Sequence, residues 1–380
     1  MTEEVKKRIP QGPNIHLLYA DPLPYTLLPP LPPLHLHNPL SYIPYIIAYL
    51  FPSTPTQPAF TATFHPESRS CHVDVSNGGD GLWFKGFFGK GTLSRSEPTW
   101  FVRARRAVGE IGQDEQLTSE EITARRRAAR QEFKKEREKA EQKERERILR
   151  EERGEVPLPE DEDEEEEEVD EEAIEQEKDA YTYPTDSNGN LINLERLQLT
   201  LPESLFLAHS LGTLTILDPS TSAPIPRSQL LPLFRTAYSP RVAGVMPPDD
   251  PFMLNYVVYH HFRSLGWVVK PGVKFAVDYL LYRRGPVFSH AEFAIMIIPS
   301  YSHPSYEGDV ERKKKERRPW HVLHSTNRVC SQVKKTVISC YVEVPPVGSE
   351  VEGETLGEVL GRYKVREVSI RRWQPSRNRD

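Results

Sequence analysis

The chain has 380 residues, 35 of them proline, and a formal net charge of −6. That length allows two or more domains with a sizeable core. Its three cysteines, Cys71, Cys330 and Cys340, show neither a metal spacing nor an even disulfide framework, which excludes a secreted disulfide scaffold and points to a reducing compartment. The start, MTEEVKKRIPQGP, lacks the apolar stretch of a signal peptide. The average charge conceals a division: residues 251–380 hold 21 Lys+Arg against 13 Asp+Glu, a net of +8, whereas 14 acidic residues lie between Glu160 and Glu177. The C-terminal part is therefore a candidate polyanion binder.

Residues 1–110 read as a proline-rich and β region. Leu23–Leu40, LPYTLLPPLPPLHLHNPL, favours extended polyproline geometry, as a surface arm or a partner-docking segment. Tyr42–Phe51, YIPYIIAYLF, has about half the length that spans a bilayer. It is expected as a buried helix or strand, with a peripheral membrane contact as the alternative and no integral membrane span. Alternation predicts a strand over Cys71–Val75 and a turn over Asn77–Asp80. In residues 81–101, GLWFKGFFGKGTLSRSEPTWF, the glycine spacing lacks the Walker pattern and no strand–loop–helix frame surrounds it, so no nucleotide site is expected. The aromatics there either pack into a core or, with Lys85, Lys90 and Arg95, stack on RNA.

Thr118–Glu121 is a capping box, and residues 118–150 read as a charged single helix supported by the pairs Glu121/Arg125, Glu141/Arg145 and Glu146/Arg150. Apolar residues are too few for a coiled-coil seam; RNA contact through Arg125, Arg126, Arg127 and Arg130 is the alternative to a solvated face. Residues 151–185 form an acidic linker expected to be disordered. A small α/β domain is expected over 190–247, with a helix after Pro202, its end at Gly212, and a strand beyond.

From Asp249 to Ile298 the sequence reads as one structural unit. Asp250 is a suitable N-cap, Pro251 fits a first helical position, and Gly266 supplies a left-handed exit, which predicts a helix of about four turns. Met253, Val257, His261 and Leu265 repeat at i, i+4, with Leu254, Val258 and Phe262 beside them, so a broad face is expected to be buried. His260 and His261 read as packed, not liganded. Trp267–Lys270 and Val273–Tyr282 are apolar β-rich runs separated by Pro271-Gly272, a hairpin signature, and Ala291–Ile298 is a further strand. Tyr282 thus stands at one strand's end and His290 just before the next strand. Beyond them, Glu311–Arg318, ERKKKERR, reads as a charged loop, either solvated or touching phosphate. Trp320–Lys334 is helix-compatible, Val337–Val344 is a strand, and Val365–Trp373 closes the chain before Arg377 and Arg379. After Asp278, the candidate Glu292-Phe293-Ala294 lacks the lysine of a D…(D/E)-x-K metal nuclease, so no metal and no other cofactor is expected.

Leu265–Ile295, LGWVVKPGVKFAVDYLLYRRGPVFSHAEFAI, resembles the catalytic core of the tRNA-splicing endonucleases, specifically the eukaryotic catalytic subunit that cuts the 5′ splice site. Residues 81–101 resemble that subunit's N-terminal region. The resemblance implies a mixed α/β (α+β) fold in which a mixed-sheet endonuclease domain, 249–380, follows the small α/β domain, the charged helix and the N-terminal irregular and β region. It also implies a site of Tyr282 as general base, His290 as general acid and a lysine that stabilises the phosphorane. Family members carry Arg-Val, here Arg328-Val329, then a lysine seven residues after the arginine, then an apolar strand, here Val337–Tyr341; the count gives Lys335, with Lys334 as the alternative. An imidazole titrating near pH 6.5 suits the acid, whereas a phenol near 10 needs neighbouring positive charge, which Arg283, Arg284 and Lys335 are expected to supply. Arg328 and Trp373 match positions that clamp a bulged base by cation–π stacking.

As a whole, the resemblance implies metal-independent cleavage of intron-containing pre-tRNA to a 2′,3′-cyclic phosphate and a 5′-hydroxyl. The expected assembly is a heterotetramer with a second catalytic subunit and two non-catalytic ones. A nuclear location is expected, with an organelle surface as the alternative. Singly, Tyr282 reads equally as packing, His290 as a turn cap and Lys335 as surface charge. Two rival readings therefore stand: a non-catalytic RNA-binding or scaffold subunit of the same complex, and an interaction protein built on the charged helix.

Overall fold

The computed structural model describes residues 15–24, 38–50, 60–75, 81–109, 131, 134, 135, 137, 183–186, 190–239, 246–349 and 353–371. The proline-rich residues 25–37, the turn Asn77–Asp80, the capping box Thr118–Glu121, the acidic tract Glu160–Glu177, Trp373, Arg377 and Arg379 lie outside the described residues. Of the charged helix, only residues 131, 134, 135 and 137 are described, and these are helical. The chain divides into two compact units, residues 1–17 with 99–194 and residues 18–98 with 195–380. In the first, a helix Trp100–Val108 ends on Gly109, which takes the left-handed φ of 84° that a β-carbon would disfavour.

The second unit is mixed α/β and contains two five-stranded sheets. One is built from β1 (Phe60–His65), β2 (Ser70–Asp74), β3 (Lys90–Gly91), β4 (Arg196–Thr200) and β5 (Leu214–Leu217), in the order β3-β4-β2-β1-β5. Only the β1–β5 pair is parallel. The N-terminal β region and the stretch around residues 190–217, separate blocks in the linear reading, thus share one sheet. Their alternation explains why: Ala62, Phe64, Cys71, Val73, Leu197, Leu199, Leu214 and Ile216 all turn to a single buried face. After β4, Thr200 caps the next helix in a capping box with Glu203. That helix runs Leu201–Leu205 and widens into a π turn over Phe206–Ser210 before β5.

The second sheet comprises β6 (Val268–Pro271), β7 (Tyr279–Tyr282), β8 (Phe293–Ser300), β9 (Thr336–Glu343) and β10 (Lys364–Ile370), in the order β10-β9-β8-β7-β6. β8 and β9 are parallel and the other pairs antiparallel. A parallel pair needs a crossover, and the chain between them supplies helices Val310–Glu316 and Trp320–Gln332.

The helix Pro251–Ser264 serves both sheets. Phe252 packs on Phe234, while Tyr259 packs on Phe206 from one side and on Tyr279 of β7 from the other, at centroid distances of 5.9–6.0 Å. Being buried from two sides changes which residues face inward. Phe252, Met253, Tyr256, Val257, Val258, Tyr259, Phe262 and Arg263 are buried, whereas Leu265, expected inside, is 59% exposed. His261, also expected inside, instead turns its Nε2 to Glu367 of β10 at 2.9 Å.

Three further expectations change. Tyr42–Phe51 forms a helix, Ile43–Leu50, but Ile46, Ile47, Tyr49 and Leu50 are each more than half exposed, in place of burial. Among the described residues no helix is long and apolar enough to cross a membrane. The charged run from Glu311 is helical through Glu316, because Asp309 caps it at the Arg312 N–H while Arg312 and Lys315 both reach the buried carboxylate of Asp249. The β6–β7 connection is longer than Pro271-Gly272: a 3₁₀ turn Val273–Phe275 intervenes, closed by Gly272 N–H donating to Asp278 O at 3.0 Å.

Asp250 sets the start of the central helix. One carboxylate oxygen accepts from the N–H groups of Phe252 and Met253, and the other accepts from Arg235 Nε at 2.8 Å. Burial raises its pKa despite Arg235, so the ion pair does not fully offset desolvation. Asp250→Asn keeps a cap acceptor and removes the charge, whereas Asp250→Ala removes both. Alanine is expected to be the worse by about 1 kcal/mol, with both below wild type in a urea denaturation series.

Candidate active site

The end of β7 and the starts of β8 and β9 meet at one end of the second sheet. Leu281 pairs with Phe293, and Glu292 N–H donates to Leu281 O at 3.0 Å. On the other side Phe293 pairs with Thr336, whose N–H donates to Glu292 O at 3.0 Å. Carried one residue further, these registers set Tyr282 and Lys335 on either side of Glu292, one strand spacing of about 4.8 Å away in each direction. Alternation then puts all three on the face that carries Leu280, Ala294 and Val337. That face holds a small apolar cluster of Val277, Leu280, Ala291, Ala294, Cys330 and Val337, with Phe275, Tyr282 and Ile370 packed against it.

Each expected residue has a distinct setting at this end. Tyr282 is half-buried, and its burial moves the phenol above its ordinary value of 10. The neighbouring cations do not offset it, contrary to the expectation for Arg283, Arg284 and Lys335. Lys335 is buried at 9% exposure, its Nζ lying 5.1 Å from the centroid of Phe275. Lys334, by contrast, is exposed at a left-handed φ of 57°, the residue at which the chain turns out of the helix Trp320–Gln332 toward β9. His290 is exposed in the loop between β7 and β8, directly before Ala291 of the cluster. Arg328 is exposed on Trp320–Gln332, while Trp373 lies outside the described residues. Tyr282, Lys335 and the neighbour of His290 therefore border one cluster, while Arg328 is exposed on the helix that contributes Cys330 to it.

Sequence reasoning missed the N-terminal wall of this region. A cleft of about 260 Å³ beside the strand end is lined by Tyr19, Pro22, Phe87, Arg263, Arg283 and Arg284 among others. Trp83, Phe87 and Phe88 are buried, so these three aromatics pack inward, whereas Phe84, Trp100 and Phe101 are half-buried, and Lys85 pairs with Asp21 at 3.6 Å. The hint available in the sequence was Gly285, whose φ of 131° suits only glycine and whose missing β-carbon admits the Phe87 ring. Among the described residues no group of three or more His, Cys, Asp or Glu side chains is placed to hold a metal ion. Asp278 instead accepts from Ile297 N–H at 2.7 Å.

Comparison with known proteins bears on the whole chain. It is 42% identical over 404 aligned residues to a Schizosaccharomyces pombe protein described as probable tRNA-splicing endonuclease subunit sen2, covering 96% of this chain and 99% of that one. The chain belongs to the Sen2 family of tRNA-splicing endonuclease subunits. Saccharomyces cerevisiae SEN2 is 32% identical over 95% of this chain and 97% of its own length. Mouse Sen2 is 37% identical over 187 residues, which cover 49% of this chain and 36% of the mouse protein. The pattern of the tRNA intron endonuclease catalytic C-terminal domain matches residues 252–346, the stretch that holds the central helix, β6 to β9, Tyr282, His290 and Lys335.

The Tyr282 hydroxyl makes no hydrogen bond among the described residues. Tyr282→Phe is therefore expected to keep stability within about 0.5 kcal/mol of wild type in a thermal melt, so that a change in cleavage reads as chemistry.

Proposed function

We propose that this chain is the catalytic subunit that cleaves intron-containing pre-tRNA at the 5′ splice site, without a metal, leaving a 2′,3′-cyclic phosphate and a 5′-hydroxyl. The observation that supports it is the row of Tyr282, Glu292 and Lys335 at one end of one sheet, with His290 two residues from its centre and all of it inside the matched endonuclease domain.

In this reading the 2′-oxygen forms a bond to phosphorus as Tyr282 takes its proton. The bond from phosphorus to the 5′-oxygen breaks as His290 protonates that oxygen, and the Lys335 ammonium stabilises the charge on the two non-bridging oxygens. The burial that raises Tyr282 makes its phenolate scarce: below about 0.1% at pH 7. Lys335 has its own reason to stay near, since its ammonium rests on the Phe275 ring at the same cluster. Arg328 and Trp373 would clamp a bulged base by cation–π stacking. The assembly would be a heterotetramer with a second catalytic subunit and two non-catalytic ones, acting in the nucleus or at an organelle surface.

Single-turnover cleavage by the assembled enzyme tests the reading. His290→Ala is expected to lower the rate by about 10²–10⁴, and Tyr282→Phe and Lys335→Ala to fall in the same range. The intron-flanking fragments should carry cyclic phosphate and 5′-hydroxyl ends and should form equally in EDTA; linear phosphate ends, or loss of cleavage on chelation, would refute the chemistry. The pH profile has a definite shape. The reaction needs Tyr282 as phenolate, whose fraction climbs tenfold per pH unit below its pKa. Because the Tyr282 pKa is raised, not lowered, no descending limb is expected below pH 10.

A further inference from the structure

The loop that carries His290 has little holding it from within. Its turn is closed by the N–H groups of Phe288 and Ser289, both donating to Gly285 O at 3.2–3.3 Å, and His290 itself makes no hydrogen bond among the described residues. What the loop rests on comes from far earlier in the chain. Phe87 is buried at 3% exposure and its ring occupies the space where a Gly285 β-carbon would stand. Tyr19, buried at 5%, stacks on Phe87 at 4.8 Å with 11° between the ring planes and meets Phe288 edge-on at 5.9 Å. Trp83 packs edge-on against the far side of the group, 5.6 Å from Phe87. Arg284 lies over Phe288 at 4.5 Å.

Phe87 is held at a left-handed φ of 59°, a conformation that bulky side chains rarely adopt, and the surroundings enforce it. On one side Arg263 donates to the Gly86 carbonyl; on the other Lys270 Nζ donates to the Gly89 carbonyl at 2.7 Å. A backbone locked on both sides, with a strained residue between the locks, aims one ring at one glycine of one loop.

We propose that the Tyr19–Phe87 stack, seated on Gly285 and Phe288, is a positioning device for the general acid, fixing the loop so that His290 reaches the leaving 5′-oxygen. This rests on the assignment of His290 as the acid. Tyr19 and Phe87 touch neither substrate nor reacting atoms; they act through the loop. A displacement of about 1 Å at a catalytic group costs about 100-fold in rate.

The test uses the full chain in its native assembly and two forms of one pre-tRNA, one ordinary and one with sulfur replacing the bridging 5′-oxygen at the cleaved bond. A departing thiolate needs no proton, so a defect in acid placement disappears on the sulfur substrate, whereas misfolding or poor assembly lowers both rates alike. Phe87→Ala and Gly285→Ala are each expected to cut single-turnover cleavage of the ordinary substrate by about 100-fold and of the sulfur substrate by less than about threefold, with pre-tRNA binding unchanged. Phe87→Leu, which keeps apolar volume but not the stack, should show the same selective loss in milder form. His290→Ala is the reference. If it is restored by sulfur and the Phe87 and Gly285 variants are not, the positioning role falls and the acid stands. If His290→Ala is not restored, the acid assignment falls and takes the positioning role with it.

Discussion

A buried guanidinium must find acceptors for its five N–H bonds, and in this protein that requirement joins two segments far apart in the sequence. Arg263, 5% exposed at the end of the central helix, donates to the Tyr259 hydroxyl, to the Trp267 carbonyl and, across 177 residues of chain, to the carbonyl of Gly86, with its plane 3.9 Å over Phe88. Left unsatisfied, such a cation would cost several kcal/mol. Lys270 repeats the arrangement one strand later: burial lowers its pKa to about 8, Glu203 lies 3.8 Å away, and its ammonium sits 4.7 Å from the Trp83 ring. Two cations on the catalytic sheet and its helix thus hold the glycine-rich N-terminal segment by its backbone. The glycines are there because left-handed φ values of 105° at Gly86 and 75° at Gly89 turn those carbonyls inward, which is a structural use of a pattern that superficially suggests phosphate.

Much of the second sheet was legible in the sequence because its elements carry local signals. Asp250, Pro251 and Gly266 bracket a helix that runs Pro251–Ser264, and β8 and β9 fall within two residues of their apolar runs. The face that the helix buries was less legible. A single amphipathic stripe assumes one partner surface, and this helix has two, so Tyr256 and Tyr259 went inward while Leu265 remained outside. The first sheet was legible only as fragments, since β3 and β4 pair through a register that no local pattern encodes.

The candidate site divides in the same way. That Tyr282 ends a strand and His290 precedes another is written in the alternation of neighbouring residues. That Lys335 turns inward while Lys334 turns out depends on a left-handed residue at a helix exit, which sequence leaves open between adjacent lysines. The electrostatics of Tyr282 were misjudged for a definite reason: arginines adjacent in sequence to a strand residue alternate to the other side or extend into solvent, and in high dielectric they do not offset desolvation. The packing of Phe87 on Gly285 could not be read from either segment alone.

The order in which strands join the first sheet has a consequence for how the chain is born. β1 and β2 are made early, yet β4 and β5, which cover them on both sides, follow after about 120 or more further residues. Closing so long an excursion adds little free energy, because that cost grows only with the logarithm of length. Time is another matter: at roughly 5–20 residues per second the ribosome leaves the Phe60–Asp74 hairpin half-finished for about 6–24 seconds. Throughout that interval Phe64, Cys71 and Val73 have only each other and Ala62 as sheet neighbours, so the apolar face of the hairpin stays open until Leu197 and Leu199 emerge.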